Sequence, residues 1–342
     1  MTTLLTLFSG IGGVEFGAEM SSIVTPTQAV ENDARKAQYH RLNHPNTDLM
    51  LGDIRTVPLD WYRPCDILWA SPPCTEDSKS KNTGKRNADV AAIGTALIPI
   101  LHHYASQHCL PNTVLIENVT EYQKNPAYAS IVIALLNLGY SVQVRTPDMA
   151  DYGVPQNRTR MILQARLDGR FRWPNQQTQH TSWYDVVADL LPACEVTVMP
   201  PWVASRWDAA VPYPQLVDNQ FYRLPVMVDG QFRYTRATNG NRELTLRESD
   251  QPSTCIVASS SSRKLIAVDE THVIRATAQM NARWQSFPDH LILPEHYTHA
   301  TPMVGNAVPP LYVAQLLKAI VLSPHIAQQP RRQAQHGLWD VA

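Results

Sequence analysis

The chain has 342 residues, 44% hydrophobic and 17% charged, enough for one large domain with a sizeable core plus a small one. Its formal net charge is -1, so any surface for a polyanion must be a local patch. The 5 cysteines are an odd number without a CxxC pair, which argues against a disulfide framework or a zinc site and fits a reducing cytosol.

Residues 1–8 lack a basic leader and run straight into a strand pattern, so no signal peptide is expected. No apolar run approaches the ~20 residues of a membrane span. Short β-like runs at 4–8, 27–30, 48–51, 67–70 and 114–116 alternate with helical periods at 34–42, 93–107 and 128–138. This alternation predicts a parallel sheet with helices on both faces. Strands at 141–146 and 160–165 follow with no helix between them, which suggests a hairpin at one sheet edge. Residues 170–262 change character, with many prolines and aromatics, and read as a loop-rich small domain. A last amphipathic helix is expected over 307–322, and the polar tail from His325 as mobile.

The first strand runs into Phe8-Ser9-Gly10-Ile11-Gly12-Gly13. Glycines there let the backbone turn tightly and approach a nucleotide-like cofactor, although such a turn also serves purely structural ends. Glu31 ends the second strand and Asp53-Ile54 follows the third. Carboxylates at these positions suit ribose or base contacts, or equally the capping of the next helix. The fourth strand ends in Ser71-Pro72-Pro73-Cys74, where two prolines hold a thiol beyond the strand. The fifth ends in Glu117-Asn118-Val119, a carboxylate that is costly to bury without a partner. Gln156-Asn157-Arg158-Thr159-Arg160 leads into another strand, with Arg158 and Arg160 on one face by alternation. Cys255, within an apolar run, reads as a structural thiol.

These pieces, with Ala282-Arg283-Trp284-Gln285-Ser286-Phe287-Pro288 and Gly305-Asn306-Ala307-Val308-Pro309, resemble in content and order the cytosine carbon-5 DNA methyltransferases. The resemblance spans residues 4 to 322. It implies a Rossmann-like class I methyltransferase fold of mixed, mainly parallel α/β sheet (1–168 and 298–325), a small loop- and strand-rich target-recognition domain (169–297) and a polar tail (326–342). It implies an S-adenosylmethionine-dependent enzyme without a metal that methylates carbon 5 of a flipped-out cytosine in double-stranded DNA. Cys74 would attack carbon 6 and Glu117 would contact ring N3 and the exocyclic amine. Arg158 and Arg160 would hold the base and the catalytic groups. The cofactor would be bound by Phe8, Ser9, Gly10, Gly12, Gly13, Glu31, Asp53, Ile54, Pro72 and Asn306. Ser78, Lys79 and Lys81 after the nucleophile, and Arg233, Arg236 and Arg242 in a positive patch of the small domain, are the candidate DNA contacts.

The chain departs from the family pattern at Thr75, where glutamine is usual, at Asp77, where phenylalanine is usual, and at Met280, which replaces an acid. The expected setting is a bacterial or phage-encoded cytoplasmic monomer in a restriction-modification system, with a cognate endonuclease but no stable complex. Two alternatives stand beside it: the family's tRNA-directed branch, and a DNA-binding homologue that has lost turnover.

Overall fold

The fold is that of a computed structural model, which describes residues 1–73, 93–205, 215–217, 220–223, 226–232, 242–259 and 263–322. Seven strands form the main sheet: β1 (Thr2–Leu7), β2 (Val24–Glu31), β3 (Asp48–Leu51), β4 (Ile67–Ala70), β5 (Thr113–Asn118), β6 (Ser141–Arg145) and β7 (Met161–Arg166). Their order is β3-β2-β1-β4-β5-β7-β6. The first five are parallel, and β7 enters antiparallel between β5 and β6. The expected hairpin is therefore present, with β6 at the edge and β7 inside.

Alternation along the central strands explains why both faces are buried. In β4, Leu68 and Ala70 join one hydrophobic cluster while Ile67 and Trp69 join another. In β5, Val114 and Ile116 face the first and Leu115 the second. Such near-continuous apolar runs belong to strands covered on both sides. On the first face lie α3 (Leu97–Ser106) and α4 (Pro126–Asn137), through Leu97, Ile100, Tyr104, Ile131 and Leu135. On the second lie α1 (Gly13–Ser21) and α7 (Pro310–Leu322), through Val14, Ala18, Val313 and Leu317. Helix α4 starts where Asn125 accepts from the Ala127 N–H and Pro126 takes the first position. Helix α2 (Ala34–Asn43) is capped by Asp33, which accepts from the N–H groups of Arg35 and Lys36.

The expected helix over 307–322 begins later, at Pro310, because Pro309 and Pro310 supply no N–H to extend it backwards. Before it stands α6 (Tyr297–Asn306), which carries Pro302 internally and was not expected; α5 (Ala278–Trp284) was not expected either. The stretch Tyr297–Leu322 is long and apolar enough to cross a membrane, but 67% of its most apolar window is packed inside the protein, as befits core helices.

A second sheet is antiparallel, in the order β12-β11-β13-β14-β8. Its strands are β8 (Val196–Val198), β11 (Val226–Phe232), β12 (Arg242–Arg247), β13 (Leu265–Ala267) and β14 (His272–Arg275). A separate hairpin joins β9 (Gln215–Val217) to β10 (Gln220–Arg223). One cluster joins Ile11 and Phe16 of the main layer to Trp183, Met227, Ile266, Ile274 and Trp284, so the two sheets share a core.

The chain runs outward from β1 through β2 to β3, then returns to β4 on the other side of β1. That reversal opens a crevice beyond the carboxyl ends of β1 and β4, where ligands bind in open sheets. The glycine loop and the Ser71-Pro72-Pro73 segment both begin there.

Candidate active site

A cavity of about 380 Å³ lies over this crevice. Phe8, Gly10, Glu31, Pro72, Glu117, Arg158, Arg160 and Asn306 all line it. A chamber of about 30 Å³ continues beneath the glycine loop and is lined by Ser9, Gly13 and Asn306 among others. Residues from the first strand's end at Phe8 to Asn306 at the end of α6 are thus gathered at one rim, where strands and helices begin or end.

The loop is built by backbone strain and by one carboxylate. Phe8 takes a left-handed backbone at φ 62°, uncommon for a bulky residue, and its side chain lines both cavities. Gly10 also has positive φ, and a Cβ there would meet nothing within 4 Å. At Gly12 a Cβ would sit 2.1 Å from His44 Nε2, so that glycine answers to packing against α2. Glu31 is 4% exposed and accepts from Gly10 N (2.8 Å), Asn32 N (3.0 Å) and Asp33 N (2.9 Å). It thereby holds the loop to the end of β2 while its carboxylate still borders the cavity. Ser9 Oγ is buried without a hydrogen-bond partner among the described residues.

The segment before Cys74 is held on both sides. Ser71 donates its N–H to Leu7 O at 3.2 Å, and Trp69 Nε1 donates to Ser71 Oγ at 3.1 Å. From β5, Asn118 Nδ2 donates to Pro72 O at 2.8 Å. Pro72 and Pro73 line the cavity. Cys74, Ser78, Lys79 and Lys81 lie outside the described residues, as do Thr75 and Asp77.

Glu117, one residue before Asn118, is 6% exposed, and Arg160 Nε approaches its Oε1 at 3.4 Å. Arg158 is used differently. It is 3% exposed, and its guanidinium donates to the carbonyls of Ile256 (3.1 Å), Gly305 (2.9 Å) and Ala307 (3.2 Å). Burial and the neighbouring Arg160 lower its pKa, yet a guanidinium stays charged. Gln156, fully buried, donates to Trp284 O at 3.2 Å and accepts from Ile256 N at 2.6 Å. Gln156 and Arg158 therefore fasten the small-sheet connection 253–256 and the α6–α7 junction to the main layer.

Other expected residues stand apart from the cavity. Asp53 pairs with Arg55, Nε to Oδ1 at 3.0 Å, and those hydrogen bonds hold its carboxyl below the usual aspartate range. Neither Asp53, Ile54 nor Gly12 is among the residues lining the two cavities. Arg242 opens β12 opposite Phe232, while Arg233 and Arg236 lie outside the described residues. Among the described residues no group of His, Cys, Asp or Glu is placed to hold a metal ion.

Lys36 and Cys255 line the cavity although the sequence around them carries no functional signal. Lys36 lines both cavities from α2. Cys255, read as structural, lines the larger one, and Arg158 donates to its Sγ at 3.5 Å. Burial raises this thiol's pKa, but Arg158, Arg160 and Lys264 outweigh burial and hold it below the usual cysteine range.

Comparison with known proteins supplies the family. Residues 2–322 match the C-5 cytosine-specific DNA methylase model. The chain is 25% identical over 343 residues to Type II methyltransferase M1.HphI of Haemophilus parahaemolyticus, covering 93% of this chain and 86% of that protein. It is 26% identical over 336 residues to Type II methyltransferase M.NgoPII of Neisseria gonorrhoeae, covering 93% and 94%. Among solved structures, the S. pombe Dnmt2 methyltransferase superposes with a TM-score of 0.62 at 16% identity, covering 93% of this chain and 97% of that one. The Entamoeba histolytica methyltransferase EhMeth gives 0.65 at 16% identity, covering 94% and 98%. With its mixed, mainly parallel seven-stranded sheet and a family match across nearly its whole length, this chain belongs to the C-5 cytosine-specific DNA methylases.

Proposed function

We propose that the chain transfers a methyl group from S-adenosylmethionine to carbon 5 of a flipped-out cytosine within a specific double-stranded DNA sequence. The observation that carries this reading is the meeting at one cavity of the glycine loop, the Glu117–Arg160 pair and the Pro72-Pro73 segment that leads to Cys74. Residues 1–168 and 298–325 would form the cofactor-binding domain and 169–297 the target-recognition domain. The Type II relatives favour DNA over tRNA as substrate and a restriction-modification setting.

The residues present fit the cofactor. The open side of Gly10, the Glu31 carboxylate at the rim and the partnerless Ser9 Oγ form a cradle for a nucleoside with a polar tail. Phe8 would pack on its base, Glu31 would accept from its ribose hydroxyls, and Asn306 would close the pocket. When bound, the cofactor supplies an electrophilic methyl group.

Cys74 would attack carbon 6, forming a C–S bond and pushing electron density to carbon 5. Glu117 would offset the charge that develops around ring N3 by hydrogen bonding there and to the exocyclic amine. Arg160 would steer the Glu117 carboxylate, since its Nε already approaches Oε1. After methylation at carbon 5, loss of the carbon-5 proton and expulsion of the Cys74 thiolate restore the ring. An unperturbed thiol with a pKa of ~8.5 is already a few per cent thiolate at neutral pH. Complete ionisation would therefore add only about 2 kcal/mol. Most of the acceleration must come from placing the base against Cys74 and from Glu117. Extruding the base from the duplex costs a few kcal/mol, which DNA contacts must offset.

The test is transfer of tritiated methyl to DNA and, in parallel, to tRNA, with trapping on 5-fluorocytosine DNA. Label in DNA and a covalent adduct lost in Cys74→Ser are expected. Label confined to tRNA, or transfer undiminished in Cys74→Ser, would overturn the reading.

A further inference from the structure

We propose that Lys36 is a cofactor-positioning residue whose ammonium is the counter-charge for the carboxylate of the amino-acid tail of S-adenosylmethionine, in the chamber beneath the glycine loop. The proposal rests on the cofactor reading above.

Lys36 stands in the first turn of α2, and its backbone N–H is already taken by the Asp33 cap at 3.0 Å. The residue is half-buried and lines both the main cavity and the chamber. Among the described residues its ammonium has no hydrogen-bond or ion-pair partner. A lysine free to reach water would be unremarkable there, but one that lines a concave site partly gives up hydration and is stabilised by an anion in it.

The acids nearby are otherwise engaged. Glu31 holds Gly10, Asn32 and Asp33, and Asp33 holds the first turn of α2. The chamber adds an independent sign of a polar ligand: Ser9 is 8% exposed and its Oγ is buried without a partner. Ser9 and Lys36 thus border one small space of about 30 Å³, enough for one small polar group. A carboxylate accepts from both, and the cofactor has one such group, at the end opposite its adenine. Glu31 at the ribose end and Lys36 at the tail end would then fix the direction in which the molecule lies.

The test is calorimetric titration of the full chain with two probes. S-adenosylhomocysteine keeps the amino-acid tail; 5′-deoxy-5′-methylthioadenosine keeps the adenosine and lacks the tail. Lys36→Met is expected to weaken S-adenosylhomocysteine roughly tenfold or more, the loss of a charge-assisted hydrogen bond, and to leave the tail-less probe within twofold. Lys36→Arg, which keeps the charge, is expected to restore most of the affinity. Affinity for DNA without cofactor is expected to be unchanged. Equal weakening of both probes would mark a structural role and overturn the proposal, as would unchanged S-adenosylhomocysteine affinity in Lys36→Met. A loss confined to DNA binding would assign the lysine to phosphate contact instead. If the wild-type chain binds neither probe, the cofactor reading itself falls and this proposal with it, an outcome distinct from a failure at Lys36 alone.

Discussion

Asn118 Nδ2 donates to the carbonyl of Pro72 at 2.8 Å, so the end of β5 holds the Pro72-Pro73 segment. The bond is buried, and the neighbouring residue in the chain is Glu117. Adjacent residues at the end of β5 therefore place the carboxylate and tie down Pro72, two positions before the proposed nucleophile. Removing the amide leaves a buried carbonyl without its donor, a loss of about 1–3 kcal/mol. Asn118→Ala is expected to lower kcat by one to two decades while S-adenosylhomocysteine affinity changes only a few-fold. Single-turnover methyl transfer and calorimetry on the same preparation check this. A loss seen only in cofactor affinity would place Asn118 in the cofactor pocket instead.

Glu117 and Arg160 act as a unit in this geometry, with Nε and Oε1 at 3.4 Å. Glu117→Gln keeps the shape but replaces the carboxyl group proposed to contact ring N3 and the exocyclic amine with an amide. A loss of roughly 10²–10³-fold in kcat is expected, the scale of removing one electrostatic contact to developing charge. Arg160→Met should cost less, because it acts through Glu117. A double-mutant cycle on transfer rates tests the coupling: the double variant should lose much less than the product of the two single losses. Simple multiplication of the losses would mean the two side chains work independently.

Arg158 was expected beside the base, yet its guanidinium is spent on three backbone carbonyls from two distant segments. Lysine offers a point charge instead of a planar fork. Arg158→Lys is therefore expected to destabilise the protein by roughly 2–4 kcal/mol and to loosen the cavity wall at 255–258 and 305–307. Urea denaturation measures the first, and faster amide exchange in those segments the second. A variant with undiminished stability would show that the carbonyl clamp contributes nothing net.

What the sequence displayed depended on how local its cause was. Strand ends beside Phe8, Glu31, Ala70 and Glu117 were legible because apolar runs buried on both faces stop abruptly at a polar or glycine-rich turn. The Pro72-Pro73 segment showed itself by backbone chemistry alone. Arg158 did not, since its acceptors lie 98 to 149 positions away and its residue type suits a base contact equally well. Helix α6 was hidden by Pro302, and Lys36 by being one cation among several at the start of a polar helix. Cys255 lay in a short apolar run that suggested a core, whereas the approach of Arg158 and Arg160 to it comes from the tertiary fold.

Glu15, a carboxylate on the buried face of α1, belongs to none of the sequence motifs. It is fully buried, contacts His40 Nε2 at 3.1 Å and receives the Thr6 hydroxyl. Burial raises its pKa, but the His40 and His44 rings and Thr6 outweigh burial and hold it below the ordinary glutamate range. His44 in turn meets Glu19 at 2.7 Å and Gly12 O at 3.1 Å, so the cluster supports the glycine loop from beneath. A glutamate with a depressed folded pKa stabilises fully above its unfolded value of about 4.3 and loses that contribution as pH falls through the folded value. Glu15→Gln removes the titration while keeping the side-chain size. The stability difference between the native chain and Glu15→Gln is expected to be fully present at about pH 5, above the glutamate titration. It should then shrink as the pH drops below about 4.3. Denaturant titrations across that range measure it directly. A difference that grew on acidification would mean that Glu15 is protonated in the folded state and that the cluster is held by neutral hydrogen bonds alone.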